Sequence, residues 1–228
     1  MLVTSVTGPV SDLDGKDFVL PDALAMSPAE LARFDAEVAP DSQAFTAWSA
    51  EHRATVLSAG TLTVTLRGNA AEQVRIADID VRKKCRPPLS GTHFTEYTQG
   101  SGDTVALGID LDAADPQPQL RAPNTSTGPK WTGRNYFDER TLTLNPGEQE
   151  TLAIGVVADR HHCAFTLELV VATADGVLTQ PIDRQGRPFE VTGPAAPKSR
   201  PPAGYRAAYQ ERADGWHRTT PAAPQGER

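Results

Sequence analysis

Two cysteines and a histidine pair are the residues of this chain whose types and spacing could do chemistry. Cys85 and Cys163 are the only cysteines among 228 residues, and His161 and His162 directly precede the second one. The surrounding pattern places Cys85 at the end of one predicted strand and Cys163 at the start of another, so the two side chains could meet at one end of a sheet. A disulfide between them would close a loop of roughly eighty residues, which the chain-entropy model values at about 4 to 5 kcal/mol.

Reduced cysteines are the alternative to a disulfide. Both thiols would then be structural, or Cys85 would be reactive because four neighbouring basic side chains favour its thiolate. These neighbours are Arg82, Lys83, Lys84 and Arg86. The same basic run is also typical of a solvated strand edge that avoids edge-to-edge pairing.

A metal site is a further use of these side chains. Cys85, His161 and Cys163 could act as ligands, with His93 as a fourth. His162 could not readily join them, because adjacent residues on a strand point to opposite faces. No CxxC or HxxxH spacing supports such a site, and solvent-facing histidines at a strand start are the simpler interpretation. A metal- or thiol-dependent enzyme using Cys85, His161 and Cys163 is therefore the alternative hypothesis, and no cofactor is predicted.

Other catalytic patterns are missing from the sequence. It contains no Gly-x-Ser-x-Gly elbow and no glycine-rich nucleotide-binding motif. The acids at Asp110, Asp112 and Asp115 form no recognisable catalytic pair and are better explained as solvated loop residues. The net charge of −7 and a pI near 5.2 give no general attraction to nucleic acid. These observations make a non-catalytic role the leading expectation.

Most of the elements that position these residues are predicted strands. From Cys163 to Val171 the apolar positions alternate with the period of two that is typical of a half-buried strand. The segment 145–148, Asn-Pro-Gly-Glu, suits a type II turn, so strands at 140–144, 149–158 and after Cys163 are expected to form a β-meander. A phase slip at Ala77-Asp78 predicts a β-bulge or a bend. Further strands are predicted near 62–66, 74–81, 105–111, 177–178 and 189–191.

Two short helices are predicted before the strands. Ser27-Pro28-Ala29-Glu30 is a capping box with proline at the first helical position, and a second helix is expected to run through about His52. Together the pattern predicts a mainly β fold, an immunoglobulin-like antiparallel β-sandwich with two short N-terminal helices and an extended C-terminal tail. The predicted divisions are an N-terminal extension at 1–58, the sandwich at 59–193 and a Pro-rich, partly disordered tail at 194–228.

Four aromatic side chains are the predicted binding contacts. Trp131 lies near the end of a long polar loop predicted at 112–135, and loops of that length inside a domain are often functional. Tyr205, Tyr209 and Trp216 lie in the predicted tail, where they could serve as docking points.

Five segments resemble one group of proteins in pattern. They are Arg82–Thr92, Gly108–Asp112, Leu142–Glu148, His162–Leu169 and Gly186–Phe189. The group consists of uncharacterised actinobacterial proteins that typically carry one N-terminal membrane helix and expose a β-rich domain outside the cytoplasm. The resemblance implies a domain of the cell envelope, and it favours the disulfide.

The leading hypothesis is a non-catalytic extracytoplasmic β-sandwich, a structural module or one that binds a protein or a cell-envelope polymer. No nucleic acid is expected as a partner. The chain has no run of about 18 apolar residues, and Met1-Leu-Val-Thr-Ser lacks the features of a secretion signal. Membrane attachment is therefore expected only through an anchor outside this sequence.

Overall fold

The computed structural model describes residues 2–11, 17–38, 42–96, 107–121, 131–182, 186–196 and 203–221. Within these ranges the chain is mainly β, with strands arranged in two sheets and with three helices. The helices are α1 (Pro28–Glu37), α2 (Gln43–Glu51) and α3 (Tyr136–Glu139). The strands are β1 (Leu2–Ser11), β2 (Phe18–Leu20), β3 (Thr55–Leu57), β4 (Ala59–Arg67), β5 (Val74–Arg86), β6 (Thr92–Glu96), β7 (Leu107–Asp110), β8 (Gln119–Arg121), β9 (Trp131–Asn135), β10 (Leu142–Leu144), β11 (Gln149–Val157), β12 (His162–Thr173), β13 (Gly176–Ile182), β14 (Phe189–Thr192), β15 (Ala207–Arg212) and β16 (Gly215–Thr219).

The main core lies between the smaller sheet and one half of the larger one. The smaller sheet has the order β1-β4-β11-β7-β8-β9, and the larger has the order β10-β5-β12-β14-β3-β2-β6-β15-β16, with β13 also paired to β12. Leu62, Val64 and Leu66 of β4 are fully buried, and so are Leu167 and Leu169 of β12. Because alternate strand residues point to opposite faces, each strand contributes every second side chain to this core.

A second, aromatic core lies under the other half of the larger sheet. Helices α1 and α2 cover β2, β6, β15 and β16 there. Phe94 is fully buried at its centre, with its ring 4.9 Å from those of both Phe18 and Tyr209. Phe34 of α1 packs against Trp48 of α2 with ring centroids 4.8 Å apart. The N-terminal helices and the C-terminal strands therefore stabilise one another.

Several local predictions are confirmed. The Ser27 hydroxyl accepts the Glu30 backbone N–H, and Glu30 in turn accepts the Ser27 N–H, which completes the capping box of α1. Glu148 N donates to Asn145 O across the predicted turn, where Gly147 has φ of 79°. The predicted bulge in β5 is present, because Val170 pairs with Asp78 whereas Val171 pairs with Ile76.

The strand pairing differs from the prediction in two ways. The expected meander is wrong, because β10 and β12 pair with β5 in the larger sheet whereas β11 pairs with β4 and β7 in the smaller one. The chain therefore crosses between sheets at both turns. The sheets are also not purely antiparallel, since the pairs β7–β11, β3–β14 and β6–β15 are parallel. Period-two alternation predicts a strand but carries no information about its partner.

Three segments in which no strand was predicted contain strands. The N-terminal extension at 1–58 holds β1, β2 and β3 besides its helices, and the predicted loop 112–135 holds β8 and β9, with residues 122–130 outside the described part. The prediction of a partly disordered tail is wrong for residues 203–221, because β15 and β16 form an antiparallel hairpin that extends the larger sheet.

Candidate functional site

The two cysteines form a disulfide between directly opposed residues of β5 and β12. Cys85 and Cys163 are register partners on these antiparallel strands, with an S–S distance of 2.07 Å and a Cα–Cα distance of 4.1 Å. The predicted bridge is thereby confirmed. It joins neighbouring strands of one sheet, so it fixes their register directly.

The surroundings of the bridge favour a structural role over thiol chemistry. Cys85 is exposed, but Cys163 is completely buried in the main core. A thiolate attacking Cys85 would have to release Cys163 as a thiolate among apolar side chains, and an unpaired buried charge is costly. Lys83, one of the neighbouring cations, is held by the backbone carbonyls of Leu111 and Ala113.

The structure does not assemble the proposed metal ligands. His161 Nδ1 lies 2.7 Å from Oδ1 of Asp112 instead of joining the cysteines. His93 lies in the aromatic half of the larger sheet, where its Nε2 is 2.8 Å from Oδ1 of Asp17. Within the described ranges, no group of three histidine, cysteine, aspartate or glutamate side chains is placed to hold a metal ion.

Asp112 and its partners form a loop clamp. The Asp112 carboxylate is 6% exposed and accepts the backbone N–H groups of Asp159 and Arg160 as well as His161. Burial opposes ionisation of Asp112, but these hydrogen bonds together hold its pKa below the usual value. Partial burial raises the pKa of Asp159, and the negative charges of Asp112 and Asp110 raise it further. The Asp112 carboxylate is satisfied by groups of the β11–β12 turn, so its contacts are explained without any ligand.

Three of the predicted aromatic contacts are core residues. Tyr205 is 6% exposed, Tyr209 is fully buried and Trp216 is 6% exposed. The Tyr209 hydroxyl accepts Met26 N and donates to Leu24 O, which ties the C-terminal hairpin to the segment before α1. As parts of the core, these side chains offer no surface to a partner in this fold. The prediction that they serve as docking points is therefore wrong.

Trp131 lies on the outer side of the smaller sheet and is half-buried. Its ring covers Gly108 of β7 so closely that a Cβ at that glycine would come within 1.9 Å of the indole. The indole N–H has no hydrogen-bond partner among the described residues. Trp131 therefore remains a predicted contact.

An open pocket on the outer face of the larger sheet was not anticipated as a site. It has a volume of about 290 Å³ and is lined by Lys84, Cys85, Arg86, His162, Ala164 and Glu190. Two adjacent rows of register partners build it across β5, β12 and β14. Arg86, His162 and Thr192 form one row, of which Thr192 does not line the pocket, and Lys84, Ala164 and Glu190 form the other.

A hydrogen-bonded chain orders one wall of this pocket. Arg86 Nε donates to His162 Nδ1 at 2.7 Å, and His162 Nε2 lies 3.0 Å from Glu190 Oε2. Since Nδ1 accepts, Nε2 carries the ring proton and donates to the carboxylate. His162 is 3% exposed, whereas Glu190 is 42% exposed. The hydrogen bond from His162 holds the pKa of Glu190 below its usual value despite partial burial. Glu190 is therefore ionised at neutral pH and fixes the His162 tautomer.

The remaining polar groups of the pocket are two cationic side chains, Lys84 and Arg86. In the described part of the chain, the Arg86 terminal nitrogens and the Lys84 ammonium have no hydrogen bond or ion pair. The pocket lining contains no hydroxyl nucleophile, and its cysteine is oxidised. Small-molecule sites usually place a few oriented polar groups in a concave surface, and this pocket has that form at small size.

Part of this pocket can be predicted from the sequence. Once Cys85 is paired with Cys163, antiparallel register places Arg86 opposite His162 and Lys84 opposite Ala164. Adjacent strand residues alternate faces, so these four share the side of the sheet that the bridge does not occupy. Glu190 had no such signal, because its place depends on the pairing of β14.

Comparison with known proteins identifies no relative of this chain. The chain matches no family model, no curated protein sequence and no solved structure. Among the described residues, no helix is both long and apolar enough to cross a membrane.

Proposed function

We propose that this chain is a non-catalytic binding module that works outside the cytoplasm and recognises a cell-envelope polymer through the pocket beside Arg86 and His162. The observation that carries the proposal is the pocket itself, which presents oriented donors on a sheet whose register a disulfide fixes. Because Arg86 is already held by His162, less entropy is lost in ordering its side chain when a ligand binds.

Two further elements of the proposal are the location of the chain and its architecture. The extracytoplasmic location is supported by the Cys85–Cys163 bridge, since disulfides persist in oxidising compartments. The immunoglobulin-like architecture is supported by two packed sheets with alternating inward residues. We propose the sandwich for the smaller sheet and the β10-β5-β12-β14 half of the larger sheet. The aromatic lobe, formed by α1, α2, β2, β6, β15 and β16, is an addition to it.

Cosedimentation with purified cell-wall polymer from the native source tests the binding role. Ala164 forms the floor of the pocket on the outer face of β12, so Ala164→Phe should fill it without entering the core. Thr166→Phe provides a matched control, because Thr166 is the next residue of β12 on the same face and does not line the pocket. We expect wild type and Thr166→Phe to sediment with the polymer and Ala164→Phe to remain in solution.

Two results would overturn the proposal. Equal sedimentation of wild type and Ala164→Phe would show that the pocket is not the binding site. Two free thiols in protein alkylated before lysis of the native source would place the chain in a reducing compartment, which contradicts the proposed location.

A further inference from the structure

We infer that the pocket beside Arg86 and His162 is an oxyanion site, in which the Arg86 guanidinium and the Lys84 ammonium together bind one carboxylate or phosphate group of the ligand. The inference deepens the proposed binding role and takes its biological setting from it. The anion chemistry itself can be measured independently with small molecules.

The orientation of Arg86 is the first argument. Its Nε–H is bound to His162, so the guanidinium plane is fixed by a side chain that is 3% exposed and itself anchored by Glu190. This leaves the two terminal nitrogens of the guanidinium for a ligand. Two parallel N–H groups of a guanidinium match the two oxygens of a carboxylate or phosphate. An arginine that is free to rotate would lose this advantage.

The position of Lys84 is the second argument. Lys84 precedes Arg86 by two residues on β5, so both side chains leave the same face of the sheet about 7 Å apart. Ala164 lies opposite Lys84 in the register, and its small side chain keeps the space between the cations open. A compact anion can therefore contact both cations at once.

The charge balance of the pocket is the third argument. Lys84 and Arg86 contribute two positive charges, and Glu190 contributes one negative charge. The Glu190 carboxylate is bound to the His162 N–H and lies on β14, across Ala164 from Lys84. The side of the pocket formed by β5 is therefore net positive, whereas the chain as a whole carries −7. The net charge of the chain repels anions, so anion binding at this pocket would depend on these two cations.

Three sugars that differ only at carbon six test the inference. Glucose is neutral, glucuronate carries a carboxylate and glucose 6-phosphate carries a phosphate. We expect one or both charged sugars to shift the side-chain ¹⁵Nε resonance of Arg86 during NMR titration and to lose affinity as salt is raised, and glucose to do neither. The charged sugar that binds with the higher affinity identifies the anion that the site prefers. Equal responses to all three sugars, or no response to either charged one, would overturn the inference.

Substitutions of exposed charged residues test where the charged sugar binds. Arg86→Gln should weaken binding of the charged sugar about tenfold or more, since a charge-assisted hydrogen-bonded pair is lost. Lys84→Gln should weaken it about two- to fivefold, as expected of an exposed point charge. Arg75→Gln is the matched control, because Arg75 is exposed on the same strand, about 35 Å away along β5. Equal affinities of Arg86→Gln and Arg75→Gln would refute the assignment.

The two proposals fail in different ways. If charged sugars bind and depend on Arg86 while no envelope polymer sediments with the protein, the oxyanion site stands and the envelope role falls. If Ala164→Phe abolishes polymer binding while Arg86→Gln has no effect on it, the binding role stands and the oxyanion inference falls.

Discussion

Removal of the Cys85–Cys163 bridge should cost this protein a large share of its stability. The bridge joins residues 78 positions apart, and the chain-entropy model gives about 4 to 5 kcal/mol for closing a loop of that length. For a chain of this size, each kcal/mol corresponds to about 2 to 4 °C in Tm. We therefore expect the melting temperature of Cys85→Ala/Cys163→Ala to fall by about 8 to 20 °C, measured by circular dichroism with urea unfolding in parallel.

The reduced wild-type protein separates the effect of the cross-link from that of the lost sulfur atoms. Cys163 is fully buried, so the double alanine variant also leaves a small cavity in the main core. Wild type in reductant keeps both sulfurs and lacks only the bond. If reduction lowered the unfolding free energy by less than about 1 kcal/mol, the bridge would not be the constraint that the loop length predicts, and the argument from chain entropy would be refuted.

Other expectations follow from single contacts. Gly108→Ala should displace the Trp131 ring, because a Cβ at Gly108 would lie 1.9 Å from it, and a red shift in tryptophan fluorescence would report the change; an unchanged spectrum would contradict the stacking. Ser27→Ala should destabilise α1 by about 1 kcal/mol through loss of the capping box, as measured by urea unfolding, and a neutral effect would argue against that cap. Trp216→Ala should cost about 3 to 5 kcal/mol, since the side chain is 6% exposed in the aromatic core, and an effect below about 1 kcal/mol would mean that the hairpin is not packed there. The lowered pKa of Asp112 stabilises the folded state above the unfolded-state pKa, and this contribution is lost as the pH falls through the folded-state value below 3.8. Wild type should therefore lose more stability than Asp112→Asn between pH 6 and pH 3, and parallel losses would contradict the clamp.

Local features of this fold were predictable because their causes lie within a few residues. The α1 cap at Ser27, the turn at Gly147 and the bulge near Ala77 each follow from side chains or backbone preferences at that point of the chain. The disulfide was predictable for a related reason, since the two cysteines fall at the ends of strands that the alternation already defined.

Long-range pairing was not predictable in the same way. Which sheet receives β11, and which strands run parallel, depends on the packing of distant elements and leaves no mark on the alternation itself. The C-terminal hairpin was missed because its surroundings are rich in proline. It did carry a signal, the dipeptide Asp214-Gly215, which is typical of tight hairpin connections and lies between Tyr209 and Trp216. The aromatic burial that stabilises it depends on Phe94, more than a hundred residues earlier.

The interlocking of the two ends of the chain has a consequence for biosynthesis. Trp216 N donates to Asp35 of α1, and Tyr209 O–H donates to Leu24 O, so contacts that complete the aromatic lobe span about 180 residues. A ribosome delivers the N-terminal partners first and the C-terminal hairpin last. Until then, Phe18 and Phe94 lack the cover of Tyr209 and Trp216, and exposed apolar surface of this kind is prone to aggregation. The nascent chain should therefore be a good chaperone substrate, and truncations that end before the hairpin should accumulate in insoluble form.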